Sequence, residues 1–140
     1  METNKSILFI CPHGAAKSVI AAAYFRQQAS LRGLPITAAS AGTEPEDRVP
    51  APVVAMLGAE GMDVSGYRPR HVTREELAVA GHIVSLGCDV AGLTAPDKAV
   101  ERWDDIPAVS EDIEIARAAI RSRVIRLLDE IERCQHPLSA

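Results

Sequence analysis

Residues 7–18 read ILFICPHGAAKS: an apolar, β-branched run, a cysteine at its end, a loop of small residues, and Lys17-Ser18 at the close. The run from Ser6 to Cys11 suits a strand buried on both faces and central in its sheet. Residues 19–33, VIAAAYFRQQASLRG, are rich in helix formers and end on Gly33, with Pro35 just beyond as a stop signal. Strand, loop and helix in that order open a crossover unit, and the rest of the chain is read outward from it.

ITAASAG, residues 36–42, suits a second strand, and the polar, proline-rich TEPEDRVPAP leads into VVAMLGAEG, a short helix closed by Gly61. Residues 62–72 are irregular. Thr73 with Glu76 three positions later forms a capping box, which predicts a brief helix to about Ala80. HIVSLG, 82–87, is a third strand and KAVERW, 98–103, a fourth near an edge. Ser110 is expected to open a long last helix, in which Ile113, Ala116, Ile120, Val124, Leu127 and Ile131 form one apolar stripe. The tail CQHPLSA is expected to fray. This alternation predicts an α/β fold with a mostly parallel sheet covered on both faces, ligands binding outside the carboxyl ends of the strands.

At 140 residues the chain reads as one domain, 1–140, large enough to bury a core without disulfide or metal support. Hydrophobic residues make up 47% and aromatic ones 4%, so the core should be aliphatic. A formal net charge of −4 without a basic stripe argues against nucleic acid as a partner. METNKSILFI lacks the apolar length and cleavage pattern of a signal peptide, and no segment approaches a membrane span. The expectation is a cytoplasmic protein with no membrane partner. Cys11, Cys88 and Cys134 are widely spaced and lack a CxxC or His-rich companion, so no disulfide framework, zinc site or other cofactor is expected. Cys88 and Cys134 read as buried packing residues.

Cys11 has a different setting. A loop entering a helix N-terminus points several backbone N–H groups into one concavity and adds the positive end of the helix dipole. Pro12 to Ala16 are small enough not to obstruct such a nest, and Gly14 can take the left-handed backbone that it needs. The helix end, the N–H donors and Lys17 would favour a thiolate at Cys11, and the Ser18 hydroxyl could stabilise that sulfur as an attacking or leaving group.

The pattern Cys-x5-Lys-Ser from Cys11 to Ser18 resembles the Cys-x5-Arg-Ser loop of the low-molecular-weight protein tyrosine phosphatase and arsenate reductase superfamily. Residues 40–89 are similar in order and spacing to the thiol-dependent arsenate reductases, and WDDIPA followed by a long helix resembles their C-terminal part. The resemblance implies a three-layer sandwich, a four-stranded parallel sheet with helices on both faces. It implies an oxyanion-binding loop of Pro12, His13, Gly14, Ala15, Ala16, Lys17 and Ser18, with Cys11 as nucleophile. His13 matches a histidine of some arsenate reductases, and Gly14 stands where many members carry Asn.

Three departures shape the functional expectation. Lys17 replaces the loop arginine, so the charge survives but the planar two-pronged grip on an oxyanion does not; the expected cost is about tenfold to a thousandfold in rate. The family's Asp-Pro acid is replaced by Ile106-Pro107, which leaves Asp105, or Asp104, as the candidate proton donor. Cys88 is a possible thiol relay but lacks its usual neighbour, so a reductase would draw on an external small thiol. Three functions are therefore carried forward: a phosphate-monoester hydrolase of the phosphotyrosine type acting through a cysteinyl-phosphate, an arsenate reductase using the same Cys11, and a catalytically impaired oxyanion or phosphoprotein binder. The expected partners are phosphate, arsenate or a phosphorylated substrate.

Overall fold

β1 (Ser6–Cys11) lies inside a four-stranded sheet, with β2 (Thr37–Gly42) on one side and β3 (His82–Ser85) on the other. The two-residue β4 (Glu101–Arg102) follows at the edge, and every pairing is parallel. The computed structural model describes residues 6–135 except 89, 91 and 95–97, and the backbone alone at 134 and 135. The expectations for the Cys134 side chain and for the tail fall outside that description.

Alternation along β1 divides the interior. Ile7, Phe9 and Cys11 face a large core with α1 (Lys17–Leu31), α2 (Ala51–Ala59) and α4 (Ile113–Gln135). Leu8 and Ile10 face a smaller core closed by Leu77 of α3 (Arg74–Val79), with Val72 and Val90. This is the expected parallel sheet between helical layers, although the second layer is thin. α1 is buried without a break from Ser18 to Phe25, because it is covered by the sheet on one side and α4 on the other. Its alanines permit that close approach. Phe9 sits between Phe25 and Trp103, with ring centroids 5.9 and 5.8 Å away.

The edges of elements differ from the sequence reading for local reasons. The fourth strand covers only 101–102 of the expected 98–103, since Trp103 turns inward to become 1% exposed and its N–H ends the pairing on the Ser85 carbonyl at 2.8 Å. The third strand ends at Ser85 and not at Gly87. Ser110 does not cap the last helix. Asp112 does, its carboxylate accepting the N–H groups of Glu114 and Ile115 at 3.1 Å each. The buried stripe of α4 also includes Leu128, which is fully buried beside Leu127.

The predicted capping box is formed. Thr73 Oγ1 accepts the Glu76 N–H at 3.1 Å, and a Glu76 carboxylate oxygen accepts the Thr73 N–H at 3.0 Å. Thr73→Ala removes one acceptor from a six-residue helix that holds Leu77 over the sheet. It is expected to lower stability by about 1 kcal/mol, read as a shifted urea midpoint with unchanged slope. No helix among the described residues is long and apolar enough to cross a membrane.

Candidate active site

Cys11 ends β1, and the five residues that follow turn the chain back into α1. The carbonyl oxygens of Cys11, Pro12 and His13 are already engaged. Gly14 N–H donates to Cys11 at 3.2 Å, Glu44 N–H to Pro12 at 2.7 Å, and Glu46 N–H to His13 at 3.0 Å. The N–H groups of Ala15, Ala16 and Lys17 have no acceptor among the described residues. The loop is therefore a donor-rich concavity, suited to an anion. Ala16 at the N-cap makes no side-chain cap, and the first turn of α1 carries no acidic residue to compete.

The sulfur sits against this helix end. Ser18 N–H points at Cys11 Sγ at 3.5 Å, and the thiol donates to Ser18 Oγ at 3.2 Å. When the sulfur is ionised, the same hydroxyl can turn and donate to it. Ser18 is fully buried, so its side chain has no role on the surface. Gly14 has a φ of +60°, the left-handed conformation expected of it.

Close approach of two backbones completes the loop. A Cβ on Gly42, at the end of β2, would lie 2.5 Å from the Gly14 nitrogen, and one on Gly14 would lie 2.8 Å from the Gly42 nitrogen. Gly42 is thus a site residue that the sequence reading treated only as a strand end. No local signal marks it, because its partner lies in another βα unit.

The thiol opens into a cleft of about 870 Å³. The loop forms one wall, Pro50 to Val53 at the start of α2 a second, and Ala108 to Glu111 a third. Its charged lining consists of Lys17, Glu46 and Glu111, with His13 at the rim. His13 Nδ1 is 3.6 Å from the Glu46 carboxylate, and both side chains are at least half exposed. Glu46 and Glu111 were not singled out in the sequence.

The structure brings Cys11, the loop and Ser18 together, engages the Lys17 ammonium with the chain at Ile106, and leaves Asp104, Asp105 and Cys88 out of the cleft lining. Lys17 Nζ donates to the Ile106 carbonyl at 2.9 Å. Arg123 approaches both oxygens of the Asp105 carboxylate, at 2.6 and 2.5 Å, and Asp104 accepts from Arg102 at 2.9 Å. Neither aspartate lines the cleft. Cys88 is 9% exposed beyond the end of β3, where its N–H donates to Ser85 Oγ at 3.3 Å. Burial holds the Cys88 thiol above its usual range; the Ser85 hydrogen bond opposes this, and negative charge at Cys11 adds to it. No group of three or more metal-ligating side chains occurs among the described residues.

Residues 6–102 match the family model for low molecular weight phosphotyrosine protein phosphatase. The chain belongs to that family. It is 31% identical over 127 residues to a curated Halobacterium salinarum protein named "Putative arsenate reductase", covering 87% of this chain and 89% of the relative. The crystal structure of an arsenate reductase from Archaeoglobus fulgidus superposes with a TM-score of 0.66 at 28% identity, covering 88% of this chain and 98% of the other. A low molecular weight phosphotyrosine phosphatase from Vibrio cholerae O395 gives a TM-score of 0.81 at 17% identity, covering 91% and 96%, which speaks to the fold alone.

Membership makes the chain one of a set of cysteine-dependent enzymes that includes phosphatases and arsenate reductases. In this chain the donor-rich loop, the sulfur at the end of β1 and the start of α1 behind it lie together. The matched region ends at Arg102, so the wall from Ala108 to Glu111 is a part of the cleft that lies outside it.

Proposed function

We propose that the protein hydrolyses phosphate monoesters of the aryl type through a covalent adduct on Cys11. The observation that carries this reading is the sulfur itself, held by the Ser18 N–H and hydroxyl at the mouth of a loop whose free N–H groups can receive an oxyanion. In the first step the Cys11 thiolate attacks phosphorus, the S–P bond forms, and the ester P–O bond breaks with its electrons on the leaving oxygen. That oxygen then takes up a proton. In the second step water attacks phosphorus, the S–P bond breaks, and inorganic phosphate leaves with the thiolate restored. Because Asp105 is paired with Arg123, substrates whose leaving oxygen is weakly basic are favoured, which selects phenols over alcohols.

The test is rapid acid quench during turnover of p-nitrophenyl phosphate, followed by mass analysis of the peptide containing Cys11. A phosphoryl group on Cys11 supports the reading. Phosphate binding without turnover or adduct supports the impaired binder instead.

A second reading is favoured by the curated relative's name: arsenate reduction at the same sulfur. Cys11 would displace water from arsenate to form an S–As bond. A second thiol would then attack the Cys11 sulfur, forming a disulfide as the bonding pair passes to arsenic and arsenite leaves. An external small thiol would reduce that disulfide. Arsenate-dependent oxidation of small thiols tests this reading, and no oxidation with any of them removes it.

A further inference from the structure

The segment from Trp103 to Val109 leads into the cleft wall, which it joins at Ala108 and Val109, and three fastenings hold it. Trp103 is 1% exposed against Phe9. Arg123 grips the Asp105 carboxylate while its guanidinium lies 5.8 Å from the Trp103 ring centroid. Lys17 reaches from the first position of α1 to the Ile106 carbonyl at 2.9 Å, joining residues 89 positions apart.

The lysine contact matters most, because an ammonium carries its whole charge on one atom. With Nζ on the Ile106 carbonyl, that charge is directed at the wall. The loop has other donors for an anion: the N–H groups of Ala15, Ala16 and Lys17 have no acceptor among the described residues. A guanidinium could bond the carbonyl and still present further N–H groups; an ammonium concentrates its donors at one point. Asp105 is 70% exposed at its side chain, so its pair with Arg123 is the weaker fastening.

Building on the thiolate reading above, we propose that Lys17 is a positioning residue that clamps the 103–109 wall over the Cys11 cleft, with Asp105 and Arg123 as a second fastening of the same wall. Backbone N–H groups hold the oxyanion. The wall then governs how the leaving group sits. Loosening it affects recognition of the substrate body more than recognition of the anion.

Trp103 is the sole tryptophan of the chain, so its fluorescence reports on the wall without any need for activity. In Lys17→Met, acrylamide quenching of Trp103 is expected to rise about twofold, as a loosened segment opens more often. Inorganic phosphate affinity, measured by calorimetry, should change by less than about fivefold, well short of the hundredfold or more expected on losing an oxyanion donor. With p-nitrophenyl phosphate, KM should rise about fivefold while kcat stays within about threefold, the sign of lost positioning. Lys17→Arg keeps a donor for the Ile106 carbonyl and should restore both quenching and KM. Asp105→Ala should shift quenching in the same direction by a smaller amount and keep the basic limb of the kcat profile against pH.

Unchanged quenching in Lys17→Met, a phosphate affinity weakened about fivefold or more, or loss of the basic limb in Asp105→Ala overturns the proposal. If Lys17→Met does not fold, the surface variant Asp105→Ala decides by the same fluorescence. Absence of Cys11-dependent turnover would count against the hydrolase reading, while the quenching and phosphate measurements would still judge the clamp.

Discussion

Cys11→Ser is expected to lower turnover of p-nitrophenyl phosphate by about 10⁴-fold or more while leaving inorganic phosphate bound. The two halves of this result come from different atoms. The variant oxygen is far harder to ionise than sulfur, and one N–H with one hydroxyl, both from Ser18, cannot make an alkoxide at neutral pH. The anion, however, is held by N–H groups of the loop and the helix end, none of which belongs to the Cys11 side chain. A serine hydroxyl stays neutral beside the dianion, so phosphate affinity should be equal or higher. Steady-state kinetics and calorimetry on the two proteins check both parts. Turnover within about tenfold of the parent would remove Cys11 from the nucleophile role.

Gly42→Ala is expected to disable the same site from outside it. The added Cβ would lie 2.5 Å from the Gly14 nitrogen and 2.8 Å from the His13 carbonyl carbon, all backbone atoms with no flexible end to yield. Either the loop or the end of β2 must move by roughly an ångström, a strain of about 1–3 kcal/mol. A loop that has moved no longer aims its N–H groups at one point, so phosphate affinity should fall by about 100-fold or more. Gly58→Ala is the control, since its Cβ meets nothing within 4 Å and its helical position gains from the change by about 0.5–1 kcal/mol. One substitution type thus moves stability in opposite directions at two sites. A Gly42→Ala protein that melts and binds phosphate like the parent would show that the two backbones need not touch.

The parts of the site that could be read from the sequence were local ones. SILFIC announces β1, GAAKS opens α1, and the distance from Cys11 to Ser18 is set by a loop too short to take many shapes. The capping box at Thr73 was readable for the same reason, because its two partners are three residues apart. Ser110 was misleading. Its residue type suits a cap, but Asp112 performs that task and Ser110 lines the cleft.

Lys17 and Asp105 mark the boundary of such reading. Their residue types suggest an oxyanion donor and a proton donor, and both types are also suited to fastening a loop. The choice depends on Ile106, 89 positions from Lys17, and on Arg123, 18 positions from Asp105, which only the folded chain brings within reach. Gly42 is a similar case, since its need for a bare Cα comes from Gly14 across a strand pair.

By itself the sequence determined the order of strands and helices, the place of the thiol at a strand end, and the donor-rich loop, because backbone periodicity and short-range hydrogen bonds act between near neighbours. Only the tertiary structure decided which side chains face the sulfur and which hold the wall. A long side chain ends where its strongest available partner lies, and that partner is set by packing.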